Sequence, residues 1–148
     1  MKSDNLLRHA WIPFSIAVIV YVIFYSFIEH RRTRNGPWQV AFTNDVAGSP
    51  ALLINEPALA ITNLQITFAD ETNLNSTNAL LILDTPKVVP YDMPFGTCVF
   101  MDTTFLPGTI VFDLYGHEIQ LIPRVLTIDK EEMPWRGETN IIVRAMRH

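Results

Sequence analysis

Two hydrophobic patterns divide this chain of 148 residues. From Ala10 to Ile28 it reads AWIPFSIAVIVYVIFYSFI, without one charged residue. A helix of that length rises about 28 Å, close to the ~30 Å of a bilayer core. Trp11 and Phe14 stand near one end, Tyr25 and Phe27 near the other, where amphipathic rings favour a membrane interface. Pro13 is placed in the first turn, where a missing N–H costs little. Arg31, Arg32 and Arg34 follow, suited to a stop at a headgroup boundary. The run is longer than the roughly 7–15 apolar residues of a signal-peptide core, and no small-x-small cleavage site follows it. The expectation is an uncleaved transmembrane anchor with the lipid bilayer as its partner.

Beyond Asn35-Gly36-Pro37 the period changes from helical to two. Leu64, Ile66 and Phe68 alternate with Asn63, Gln65 and Thr67, and Ile119 and Leu121 with Glu118 and Gln120. Such alternation gives a strand one apolar and one polar face. Ile110, Phe112 and Leu114 alternate less cleanly, and shorter apolar runs cover 38–42, 51–54, 80–83, 97–101, 125–128 and 140–143. Proline- and glycine-bearing breaks at 48–50, 55–57, 84–86, 93–96 and 106–108 separate them, each a turn with a backbone mechanism. Tyr115-Gly116-His117 is the best hairpin, with His117 read as part of the turn. Pro123 marks an edge, a bulge or a crossing between sheets. Eight or nine short strands at this spacing predict an all-β soluble domain, an antiparallel β-sandwich of the immunoglobulin-like or jelly-roll kind. The predicted organisation is a short tail at 1–9, a transmembrane helix at 10–28, a basic juxtamembrane connector at 29–36 and the β-sandwich at 37–148.

Charge follows the same division. Residues 1–35 hold five Lys or Arg against two acids, +3; residues 36–148 hold six against thirteen, −7; together they make the −4 of the whole chain. Without a basic stripe on the β domain, nucleic-acid binding lacks its electrostatic driving term. Two Lys or Arg before the apolar run against three after it favour a cytoplasmic domain. A short tail, one helix and a folded domain are instead the layout of a signal anchor. The exported side, periplasmic or extracellular, is the expectation.

Candidate chemistry is sparse. One cysteine excludes an intrachain disulfide and any multi-cysteine metal site. Cys98 and His117, with Met93 or Met101 as axial ligand, make an incomplete blue-copper set, because His9 and His30 flank the apolar run and His148 is the last residue, which leaves no second histidine inside the strand pattern. Asp70 to Asn75 offers oxygen ligands for Ca²⁺ but lacks the glycine and terminal glutamate of an EF-hand loop. Acid pairs for hydrolysis could come from Asp70/Glu71, Glu131/Glu132 or Asp102/Asp113. Asn75-Ser76-Thr77 matches a glycosylation sequon. No serine lies in G-x-S-x-G, and there is no P-loop. No catalytic residue, cofactor or metal ligand is therefore assigned.

Aromatic placement gives a softer signal. Trp38 and Trp135 lie near the two ends of the β domain, each after a proline, and are expected to close one core. The segment 131–137 reads as a long loop mixing an aromatic, a cation and acids. Its Met133, Trp135 and Arg136 are the first candidates for partner contact. The functional expectation is a non-enzymatic interaction module or accessory subunit of a membrane complex, with a protein partner or a second copy. A Ca- or Cu-binding domain is the alternative, and a membrane-bound hydrolase using an acid pair ranks below it.

Overall fold

The computed structural model describes residues 4–72 and 78–145. It contains two compact units, Met1–Arg34 and Asn35–His148. The first is a single helix, α1 (Asp4–Thr33), which is apolar on every side and has Trp11, Phe14, Ile19, Phe24 and Phe27 all exposed. Its stretch His9–Thr33 is long and apolar enough to cross a membrane. The helix takes in residues on both sides of the charge-free run, which corrects two expectations. Pro13 is inside the helix and not in its first turn, so it has no N–H to donate to the carbonyl of His9. Much of the expected connector is also helical: His30, Arg31 and Arg32 form the last turn, where cations meet the negative end of the helix dipole. Arg31 lies over the Phe27 ring at 5.4 Å, and Arg32 reaches Glu29 at 3.9 Å.

The second unit is almost wholly β: β1 (Trp38–Asn44), β2 (Pro50–Glu56), β3 (Ile61–Phe68), β4 (Ala79–Leu83), β5 (Tyr91–Met93), β6 (Gly96–Asp102), β7 (Thr109–Leu114), β8 (His117–Ile122), β9 (Val125–Ile128), β10 (Glu131–Met133) and β11 (Asn140–Val143). They form two sheets, ordered β11-β3-β2-β1-β4 and β10-β9-β8-β7-β6-β5. In the first sheet three hairpin-connected strands are followed by a fourth that returns beside β1, the spatial order of a Greek key. The second sheet is a six-strand meander.

The expected pattern is antiparallel throughout, but β11 pairs parallel to β3. The chain crosses from β10 in one sheet to β11 in the other and arrives running the same way as β3. β5 and β10 were not expected either, since three residues are too short to display a period.

Alternation fixes which side chains face inward. Trp38, Val40 and Phe42 of β1, Leu52 and Ile54 of β2, and Leu64, Ile66 and Phe68 of β3 share one buried cluster with Cys98, Ile110, Phe112, Leu114, Ile119 and Leu121 of the meander. The two sheets therefore face each other across one core, a sandwich-like arrangement. Aromatic pairs cross between them: Phe42 meets Phe95 at 5.3 Å, and Phe68 meets Tyr115 at 5.2 Å. The main hairpin turns are two residues long. Tyr115-Gly116 and Asp129-Lys130 both have two successive positive φ angles, the requirement of a type I′ turn. Pro123-Arg124 joins β8 to β9, so Pro123 is neither at a bulge nor at a sheet crossing but in a tight turn outside the ladder. Gly96 is demanded by packing, because a Cβ there would strike the carbonyl of Asp113 on β7.

Candidate interaction site

Two strands at the same side of the body end their sheets, β10 in the meander and β11 in the Greek-key sheet. Between them lies an open cleft of about 520 Å³, lined by Ile128, Asp129, Glu131, Met133, Ile141, Ile142, Val143 and Arg144. A second hollow of about 280 Å³ shares Met133 and Ile141 with it and adds Leu64, Pro134, Arg136 and Thr139. Together they make one groove with an apolar floor and charges at its lips. Among the described residues, Arg136, Arg144 and Glu131 form no ion pair, so these lips are unspent.

The groove exists because of how its walls are held. Asp129, in the β9–β10 turn at φ +50°, accepts the Glu118 N–H at 3.0 Å through Oδ1, and its Oδ2 lies 2.7 Å from His117 Nδ1. His117 is only 3 % exposed and opens β8, so it is not the turn residue expected beside Gly116. Its ring also sits 6.1 Å from Phe68, across the core. On the facing wall β11 is tied to β3, with the N–H of Gln65 donating to Thr139 and that of Ala69 to Val143. The Asp70 carboxylate accepts from the Ala145 N–H at 3.1 Å just beyond that strand.

The expected contact residues separate into two roles. Met133 is half-buried on the groove floor and Arg136 is exposed at its lip. Trp135 instead turns inward: its ring packs on Trp38 at 5.0 Å, and its Nε1–H donates to the Ile122 carbonyl at 2.7 Å. Trp38 donates to the Gly108 carbonyl at 3.0 Å, so both indoles are satisfied while closing the same core. The supposed loop 131–137 begins as strand β10. Ile141, inside the apolar run 140–143, and Arg144, just beyond it, complete the groove from the other sheet.

The other candidate chemistry is dispersed. Cys98 on β6 and His117 on β8 are separated by β7; the thiol faces the Phe100 carbonyl, and His117 is taken by Asp129. Burial pushes the Cys98 thiol and the neighbouring Tyr91 hydroxyl up from their ordinary pKa values, so neither is activated as a nucleophile. Met93 and Met101 pack against the core. Asp102 and Asp113 sit toward opposite ends of the β6–β7 ladder, and Glu131 and Glu132 are consecutive on β10, so their side chains leave opposite faces. Among the described residues no group of three or more His, Cys, Asp or Glu is placed to hold a metal ion. Asn73, Asn75 and the sequon 75–77 fall outside the described residues.

On the helix, Trp11 and Phe14 pack edge to face at 6.1 Å, Tyr25 stacks on Tyr21 at 6.2 Å, and Arg31 is engaged by Phe27. Arg34 follows the last helical residue and is exposed. Comparison with protein-family models, curated proteins and solved structures finds no match for the chain.

Proposed function

We propose that this is a single-pass membrane protein whose β-sandwich serves as a non-enzymatic docking module, an accessory subunit of a membrane protein complex. The helix crosses the bilayer, with Trp11 and Phe14 at one interface and Tyr25, Phe27, Arg31, Arg32 and Arg34 at the other. The sandwich lies on the exported side. Its Greek key resembles the connections of immunoglobulin-like and jelly-roll domains, while its six-strand meander sets it apart from both.

The observation that carries the docking role is the groove between β10 and β11. Met133 and Ile141 form an apolar floor, and Arg136 and Arg144 at its lips have no ion-pair partner among the described residues. An apolar floor rimmed by uncommitted charge is how an interface combines affinity with register. The partner is a protein segment that inserts apolar side chains between the two edges and offers carboxylates to the arginines.

Native purification of the full chain in mild detergent tests the reading. A co-purifying protein is expected, and Met133→Asp or Arg144→Glu should lower its recovery about tenfold, the loss of about 1.4 kcal/mol. Recovery unchanged in both variants would overturn the assignment of the groove.

A further inference from the structure

The first sheet has a second edge, at β4, and it differs from the other three edges of the body. β5 is three residues long and carries Asp92; β10 is equally short and carries Glu131 and Glu132; β11 has four residues and is flanked by Arg144, as β4 is by Asp84. Short length and charge are the usual devices that stop an edge from pairing with another strand. β4, with the sequence Ala79-Leu80-Leu81-Ile82-Leu83, has five residues, no charge, no proline and no bulge. Leu80 and Ile82 are 64 % and 54 % exposed on the outer face of the sheet.

The ladder shows which backbone groups of β4 are free. At the β1–β2 hairpin the Asp45 N–H donates to the Ser49 carbonyl, and Pro50, opposite Asn44, has no N–H to give. Odd-numbered residues of β1 therefore bond to β2 and even-numbered ones to β4. Phe42, Val40 and Trp38 pair with Ala79, Leu81 and Leu83, so those three are spent on β1. The same parity carried across β2 and β3 predicts that Gln65 bonds to the β11 side, as its bond to Thr139 shows. The N–H and C=O groups of Leu80 and Ile82 consequently point out of the sheet, and these are the two residues whose side chains are exposed.

We infer that β4 pairs antiparallel with β4 of a second copy of this chain, about a two-fold axis at Leu81. In that register Leu80 faces Ile82 of the second copy and Ile82 faces its Leu80. Both are pairs with free backbone groups, so each exchanges both N–H···O bonds. Leu81 meets Leu81 as the wide pair between them, on the inward face with Val40 and the core. A register one residue away would oppose bonded groups to free ones and lose the ladder. Charge agrees with the self-pairing: Asp84 of one copy falls opposite Asn78 of the other, so the flanks carry no like-charge clash. The outcome is one continuous sheet through two domains, with the β10–β11 grooves left open at its far ends.

Crosslinking of the full chain in mild detergent tests the pairing. With Cys98 buried, Leu81→Cys should give a disulfide-linked dimer on mild oxidation, because a wide pair brings Cα atoms to about 4.5 Å. Asn63→Cys, exposed on β3, should give none. Ile82→Lys, at an exposed position that leaves the core intact, should weaken dimerisation roughly tenfold or more by bringing lysines into the apolar seam. Since each β domain carries −7, raising the salt should strengthen the dimer. A chain that is monomeric at all salt concentrations, or that crosslinks equally through Leu81→Cys and Asn63→Cys, would overturn the inference. So would a different protein seated on β4. Partner recovery through the groove should survive Ile82→Lys, which keeps this test separate from that of the docking role.

Discussion

Phe24 and Phe112 are the same side chain in opposite settings. Phe24, on the helix, is 63 % exposed, and Phe112, on β7, is fully buried. The difference extends to the whole of each unit. The helix shows valine, isoleucine and aromatic residues on all sides, which is stable only where the surroundings are themselves apolar. The strands show the same residue types on one face and polar ones on the other, which is how a body in water hides its apolar half. One unit covers its apolar side chains with its own second sheet; the other leaves them exposed.

That contrast is open to direct attack. The largest effect is expected from Phe112→Ala, which empties part of the shared core and should cost the β domain about 3–5 kcal/mol in urea unfolding. Phe24→Ala should leave the domain's midpoint unchanged, because Phe24 is exposed and is no member of the buried cluster. A comparable loss from both would mean that the helix packs as part of the fold.

A smaller effect is expected at the groove wall. Asp129→Ala leaves the buried His117 without its partner and the Glu118 N–H without an acceptor, at a cost of about 1–3 kcal/mol by the same measurement. Arg144→Glu, at an exposed position, should stay close to wild-type stability while losing the partner, whereas Met133→Asp, at a half-buried position packed on the core, should lose some stability as well.

The smallest effect is a dependence on pH. Glu56 is 1 % exposed; one carboxylate oxygen accepts from the Ala58 N–H and the other has no partner among the described residues. Burial raises its pKa above the ordinary carboxylate value, against the smaller lowering effect of the Ala58 bond. As pH rises from the ordinary value through the raised one, the unfolded chain has already lost this proton while the native state still holds it. Stability from this group therefore falls with rising pH across that window. Glu56→Gln should remove the dependence, and its advantage over wild type should grow from acid pH toward neutrality in urea titrations. A constant difference would mean that Glu56 ionises alike in both states.

Most strands were readable because half-buried sheets imprint period two on the sequence, as at Leu64, Ile66 and Phe68. The Trp38–Trp135 contact was readable because each indole follows a proline near one end of the domain. What escaped detection depends on relations between distant segments. The parallel docking of β11 on β3 leaves no local trace, since pairing direction is not written in the alternation of one strand. The Asp129-Lys130 turn has no glycine, and its positive φ values are held by the bonds of Asp129 to β8. His117 sat beside the right turn but on the strand side of it. The groove was half visible: composition singled out Met133 and Arg136, while Ile141 and Arg144 join them only because two sheet edges end side by side. The helix outran its apolar core at both ends because charged residues suit the termini of a helix as well as a headgroup boundary.

The most direct test of the account is alkaline carbonate extraction of membranes carrying the intact chain, read together with protease treatment of sealed vesicles of known sidedness. The account predicts that the chain stays in the membrane pellet and that protease added to the exported face cuts the β domain, leaving a fragment that retains α1. Release of the chain into the carbonate supernatant, or a β domain protected from the exported face and cut only from the cytoplasmic one, would contradict it.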